Sequence, residues 1–385
     1  MVSAPPRVDS QGSLVVHLIY RLDFGGLETL LVDCINRMPA HYRHAVVCLS
    51  GYTAFADKIT RPGVQLFDLA KAPGLGLGAH ARLFKLLRKL RPDVLHTYNL
   101  SSIEYSFTAA LAGVPVRIHA EHGRDVSDPQ GLNPKHNMLR RLMVPFVDRY
   151  IPVSLDLQAW LRDVVRIPQA KILLINNGVD TEHFTPAAPP AQFVIGTVGR
   201  VQDVKHQAGL IDAFIALRAL LPGHPMKLVI VGDGPLRAQL EAQVAAAGMG
   251  EHIALLGARS DIADLMRGFS VFALSSLTEG TPVTLLEAMA CQLPVVSTAV
   301  GGIPALVQDG VSGTLVPVRD AQAMAQALAA YARDPALAAR HGKAGRERVE
   351  STNSIAAMIQ AYVGLYDSLR KSKLKLKENI TPCAE

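Results

Sequence analysis

Residues 192–200, QFVIGTVGR, decide how the chain is organised. An apolar, β-branched run ends abruptly in glycine and arginine, as a buried strand of a parallel sheet does at its C-terminal end. The residues before it, NNGVDTEHFTPAAPPAQ at 176–192, are rich in Gly, Pro and small side chains and read as a linker, with a hinge near 177–190. After 192 the strand-like runs are KLVIVGDG (227–234), IALLG (253–257), VFALSS (271–276), PVVSTAV (294–300) and GTLVP (313–317), each separated by a helical stretch. Before the linker the same rhythm has already run once, through LVVHLIY (14–20), HAVVCLS (44–50), VQLFDL (64–69), DVLHTYN (93–99) and VRIHAEHG (116–123). Strand and helix alternating twice predict an α/β protein with two parallel sheets in series, each covered on both faces.

The expected domains are therefore 1–180 and 190–353. The pattern at 354–370, with Ile355, Met358, Tyr362, Leu365 and Leu369 at three-to-four spacing, predicts a last helix that needs a surface to cover. The tail 371–385, KSKLKLKENITPCAE, is charged and unpatterned, and it is expected to be a solvated disordered end, with a membrane-attracting end as the alternative.

The 385 residues are long enough for two cores, and 49% apolar with 19% charged residues excludes disordered and collagenous classes. Cys34, Cys48, Cys291 and Cys383 lie far apart, with neither a disulfide framework nor zinc-ligand spacing, so a reducing, cytoplasmic setting is expected. No run is long and apolar enough to cross a membrane, and no signal peptide is visible. The net charge of +6 lies wholly in residues 1–180, which hold 21 Lys and Arg against 15 Asp and Glu. Without dense basic clusters and interleaved aromatics, nucleic acid is not the expected partner; a phosphate-bearing substrate or an anionic membrane face is. Residues 79–91, AHARLFKLLRKLR, set Arg82, Lys85, Arg88 and Lys89 beside an apolar stripe, which reads either as a sheet-covering helix or as a peripheral membrane contact.

Gly25 and Gly26 follow the first strand in RLDFGGLE, where a turn is either simply tight or brings an anion to a helix N-terminus. Arg200 and Lys205, in GRVQDVK, put two cations at the C-terminal end of a first strand, where α/β folds bind ligands and where a diphosphate fits. Gly232, Asp233 and Gly234 in VGDGPLR lack the third glycine of a dinucleotide fingerprint, leaving a turn against a base or a structural turn. In EGTPVTLLEAMACQLPVV (279–296), Glu279 precedes a helix whose expected N-cap is Thr281 and first residue Pro282, and Glu287 lies inside it. Carboxylates pair well with vicinal hydroxyls, so this segment suits a nucleotide sugar. His122 falls at a strand's C-terminal edge among the polar Glu121, Arg124 and Asp125, as a site residue would, whereas His96 and His119 read as structural. No Asp-x-Asp and no HExxH occurs, so no metal site and no cofactor are expected.

Taken in order, GGLE, EHG, NGVD, GRVQDVK, VGDGP, the two glutamates eight apart and VGGIPALVQDGVSGTLVP resemble a retaining glycosyltransferase of family 4 with the GT-B fold. The first half is also similar to sugar transferases of exosortase-associated exopolysaccharide clusters. The resemblance implies two Rossmann-like domains facing a cleft, with the last helix crossing back onto the first domain. It implies a nucleotide-diphosphate sugar as donor and a saccharide or lipid-linked acceptor at the inner face of the cytoplasmic membrane. Arg200 and Lys205 would hold the diphosphate, Glu287 the ribose, and Glu279 with Gly280, Thr281 and the following Pro282 and Val283 the donor sugar. His122 would approach that sugar from the first domain, and Gly25 and Gly26 would complete the phosphate site. Ala305 departs from the family's usual glutamate. A sugar-nucleotide 2-epimerase of the same fold, or a non-catalytic sugar-nucleotide-binding subunit, is the alternative.

Overall fold

A computed structural model describes residues 12–380 except 73, 75 and 126, with side chains described through 375. The first domain runs β1 Ser13–Ile19, α1 Gly26–Arg37, β2 Tyr42–Cys48, β3 Gln65–Asp68, α2 Leu77–Leu90, β4 Val94–Tyr98, α3 Leu100–Ile103, α4 Tyr105–Leu111, β5 Val116–Glu121, α5 Pro134–Leu142, β6 Arg149–Pro152 and α6 Leu155–Asp163. The second runs β7 Phe193–Val198, α7 Gln207–Leu220, β8 Met226–Val231, α8 Arg237–Ala246, β9 Ile253–Leu255, α9 Ile262–Arg267, β10 Val271–Leu274, α10 Val283–Ala290, β11 Val295–Thr298, α11 Ile303–Leu306, β12 Thr314–Val316, α12 Ala321–Arg333 and α13 Pro335–Thr352. Last comes α14, Ile355–Ile380.

Each domain holds one six-stranded parallel sheet, ordered β3-β2-β1-β4-β5-β6 and β12-β11-β10-β7-β8-β9. The two orders are the same when each domain is counted from its own first strand. In both, the order reverses beside the first strand, and the loops that leave there part to make a crevice at the C-terminal ends of the strands. β1 is buried along its whole length, which explains why it reads as an apolar run broken only by His17. The short edge strand β6, RYIP, has too little apolar length to stand out in the sequence.

One face of the first sheet is covered by α14. Ile355, Met358, Ile359, Tyr362, Leu365, Tyr366 and Leu369 enter the same core as Val15, Ile19, Val46, Tyr98 and Ile118. The crossing is fastened where Val179 N–H donates to Asn353 O at 2.8 Å and Ile355 N–H donates to Val179 O at 3.1 Å. The expected disordered tail is corrected in part: α14 continues through residue 380, and 381–385 lie outside the described residues. Lys, Leu and Glu are good helix formers even without an amphipathic pattern, and Lys373 Nζ lies 2.6 Å from Asp148 Oδ1.

Under α14 lies a chain of buried rings. His44 Nδ1 meets His17 Nε2 at 3.0 Å, His17 Nδ1 meets the Tyr98 hydroxyl at 2.8 Å, and His96 Nδ1 meets the Tyr366 hydroxyl at 2.8 Å. Burial pushes all three histidines below the ordinary value of 6.5, His44 to about 3. An imidazole held neutral in the folded state contributes stability above pH 6.5 that is lost as pH falls toward its folded value, because only the unfolded chain takes up the proton. Urea unfolding measured between pH 6.5 and 5 should show His96→Gln to have a stability slope shallower than wild type by a difference that grows toward about 1.4 kcal/mol per pH unit near pH 5. Parallel slopes would refute the assignment.

Candidate functional site

The cleft residues come together where the two sheets' C-terminal edges face each other. From the second domain, the Arg200 guanidinium donates to Phe24 O at 2.9 Å, reaching the turn that carries Gly25 and Gly26. Gly25, extended at φ −176°, is the N-cap of α1, and Gly26 packs against Val283 at the start of α10. The Glu28 carboxyl folds back over Gly25 beside Arg200; burial pushes it up to about 7, with Arg200 opposing. The first helical turn of RLDFGGLE carries this acid openly, yet sequence reasoning passed over it.

Lys205 Nζ lies 2.6 Å from Glu279 Oε1, which also accepts the Ser276 hydroxyl at 2.6 Å. The pair is largely sheltered, with the side chains 19% and 9% exposed, so this cation and anion are held together rather than solvated. Ser276 carries no sequence signal of its own. Next to the pair, Gly280 lies so close to the first domain that a Cβ there would come 2.3 Å from His122 O. Only glycine fits that approach.

The helix start differs from the expectation. α10 begins at Val283 with Pro282 as its N-cap, and Thr281 is not the cap. Its hydroxyl donates instead to Val153 O of the first domain at 2.8 Å, while Asn177 Nδ2 donates to Thr281 O at 3.1 Å. A backbone acceptor across the cleft has displaced the local cap. Glu287, one turn into α10, is 6% exposed, and burial pushes its carboxyl up to about 8, with Asp33 reinforcing and Lys58 opposing.

His122 sits above Tyr98, ring centroids 5.8 Å apart, and neither of its ring nitrogens has a hydrogen-bond partner among the described residues. Burial lowers it to about 4, so the imidazole is neutral near pH 7. Its expected polar company is corrected: Glu121 points to the other face of the sheet, where Arg140 Nε at 2.5 Å and His119 Nε2 at 3.1 Å hold it. Arg124 is paired with Asp156 at 2.8 Å. Alternation along β5 separates neighbours that look adjacent in sequence. His96 and His119 are buried in their strands, as expected of structural residues.

Gly232 and Gly234 have a structural cause. Gly232 has φ +134°, and a Cβ on it would meet Gly199 O at 2.0 Å; one on Gly234 would meet Val201 O at 2.2 Å. Asp233 accepts the Gly234 N–H at 2.7 Å and pairs with Arg237. This turn therefore packs closely against the loop that carries Arg200.

Residues 24–183 match the family model for Glycosyltransferase Family 4 and residues 179–348 that for Glycosyl transferases group 1. The D-inositol 3-phosphate glycosyltransferase of Kribbella flavida is 34% identical over 370 residues, covering 85% of this chain and 87% of that protein. The chain belongs to glycosyltransferase family 4. An Escherichia coli UDP-Gal:alpha-D-GlcNAc-diphosphoundecaprenol alpha-1,3-galactosyltransferase is 30% identical, covering 66% of this chain and 70% of that protein. HepE of Anabaena, solved in complex with UDP, has the same fold, with a TM-score of 0.77 and 21% identity over 92% of this chain and 99% of its own. In this family 4 glycosyltransferase both GT-B domains and the returning helix are therefore present.

The raised Glu287 carboxyl gives a signed prediction. A group protonated in the folded state and ionised in the unfolded one loses its stabilising contribution as pH rises from 4.5 toward about 8. Glu287→Gln, which mimics the protonated form, should gain on wild type in thermal unfolding as pH rises from 6 to 8 and hold a constant lead above that. A lead that does not change with pH would contradict the buried, protonated carboxyl.

Proposed function

We propose that this enzyme transfers a sugar from a nucleotide-diphosphate donor to a saccharide or lipid-linked acceptor in bacterial glycoconjugate assembly, with retention at the anomeric carbon and without a metal ion. The observation that carries the reading is that Arg200 and the α10 start meet the Gly25–Gly26 turn, while the Lys205–Glu279 pair adjoins Gly280, which abuts His122 across the domain seam. Support also comes from relatives. The galactosyltransferase above is named for a UDP-sugar and a diphosphoundecaprenol acceptor, and HepE was solved with UDP-glucose.

In this reading the bond from the anomeric carbon to the diphosphate breaks with its electrons going to the phosphate oxygen. Arg200, Lys205 and the N–H groups at the starts of α1 and α10 face the growing negative charge and stabilise the transition state more than the ground state. Donor binding displaces the Glu28 carboxyl from beside Arg200 and frees Lys205 from part of its pairing with Glu279. Glu279 then accepts from donor-sugar hydroxyls and Glu287 bonds the ribose. The neutral His122 ring offers its unpartnered nitrogens to the sugar from the opposite wall. The acceptor hydroxyl attacks on the face the phosphate leaves, and its proton passes to that phosphate.

Transfer assayed with a nucleotide sugar and acceptor should survive excess chelator, and proton NMR of the first product should show the donor's anomeric configuration. Arg200→Ala and Lys205→Ala should each remove charge-assisted contacts worth about 1.5–3 kcal/mol and lower both turnover and donor affinity. An inverted product, or activity lost to chelator and restored by Mg²⁺, would overturn the corresponding part.

A second reading concerns the membrane, and α2 carries it. Leu83 and Leu87 are buried against the sheet, so the apolar stripe is mainly a sheet-covering face. Arg82 is engaged by Leu69 O and Ala70 O. Lys85, Arg88 and Lys89 remain outward, with Leu77 76% and Phe84 38% exposed beside them and Leu111 and Phe107 exposed on the adjoining α4. Among the described residues no helix is long and apolar enough to cross a membrane. We propose that this face rests on an anionic bilayer, each cation contributing about 1 kcal/mol. Sedimentation with anionic vesicles should weaken with salt and drop when Lys85, Arg88 and Lys89 are changed to Gln. Equal sedimentation with neutral vesicles would show an ordinary solvated surface.

A further inference from the structure

The residue that holds His122 in place is itself held in an uncommon backbone conformation. Asn99, just past the end of β4, has φ +58° and ψ 175°, a region that is costly for any residue but glycine. Such strain persists only where the surroundings enforce it, and here the enforcing bonds can be named. The Asn99 N–H donates to Ala120 O at 2.8 Å, and Asn99 Oδ1 accepts the His122 N–H at 2.8 Å. Ala120 lies in the neighbouring strand β5, and His122 directly follows its last residue.

The position makes this use of the side chain unusual. Asn99 is the N-cap of α3, where an asparagine ordinarily accepts an N–H from the helix it begins. It makes no such cap bond. The Ser102 hydroxyl instead ties the turn, accepting the Tyr98 N–H at 2.7 Å and lying 2.7 Å from Tyr98 O. The Asn99 amide is thereby diverted from its own helix to the His122 backbone. His122 in turn presents its carbonyl to Gly280, beside Glu279, across the domain seam.

We propose that Asn99 is a positioning residue of the transferase: its side-chain oxygen fixes the His122–Gly123 turn, and with it the distance from the imidazole to the Glu279–Gly280 loop. The proposal rests on the reading of His122 as a donor-sugar residue. Loss of the clamp leaves the donor's diphosphate contacts intact, so the effect falls on kcat rather than on donor KM.

Asn99→Gly, Asn99→Ala, Asn99→Asp and His122→Ala test it together. Glycine relieves the backbone but removes the clamp; aspartate keeps an oxygen in place of Oδ1. Asn99→Gly and Asn99→Ala should each lose about tenfold or more in kcat, with donor KM within about twofold of wild type. Asn99→Gly should unfold at a temperature equal to or above that of Asn99→Ala, which separates lost positioning from lost folding. Asn99→Asp should recover most of the turnover. Wild-type kcat in Asn99→Gly, or Asn99→Asp as impaired as Asn99→Ala, overturns the proposal while leaving an inactive His122→Ala as support for the site. A fully active His122→Ala removes the reading of His122 and the proposal with it.

Discussion

At residue 280 the two domains come so near that one added carbon atom would hold them apart. Everything else in the cleft is arranged around that contact. Because no side chain stands between His122 O and the Gly280 backbone, the loop that carries Glu279 lies against the His122–Gly123 turn. The same closeness lets Thr281 reach Val153 and Arg200 reach Phe24. These two bonds and the one steric exclusion all cross the seam between the domains, so a change in how the domains meet alters all of them together.

The charges in the closed cleft balance internally. Lys205 neutralises Glu279, Arg200 faces Glu28, and Glu287 is kept protonated by burial. Low-dielectric surroundings make an unpaired charge costly, so sheltered ions must be either paired or discharged. The cleft does both. In the proposed reading, an entering diphosphate would replace one set of anions with another, and the cations would already be in place when the bond breaks.

Much of this was legible before the structure. The repeated strand rhythm carried the two sheets and the linker, since strands buried on both faces leave long apolar runs. The spacing of Ile355 to Leu369 called for a surface, and the first sheet supplies it. The misses share a cause: each depends on a bond to a residue far away in sequence. Thr281 looks like a cap until Val153 claims its hydroxyl. Glu121 looks like a neighbour of His122 until the pleat turns it toward Arg140 on the other face. Asn99 only ends a strand-like run in the sequence, and the fold alone brings β5 to its side chain. The residues past 370 were misjudged for another reason, because a search for apolar periodicity overlooks a helix built from helix-forming residues alone.

The returning helix also sets a schedule. The ribosome delivers β1 to β6 first, yet the face that closes their core, Ile355 to Leu369, emerges only after the entire second domain. At 5–20 residues per second the nascent first sheet waits on the order of ten to forty seconds with one side uncovered. The His17, His44, His96 and Tyr98 side chains keep part of that waiting surface polar. The domain that is made first is thus the last to be completed, because the helix that closes its core is encoded after the whole second domain.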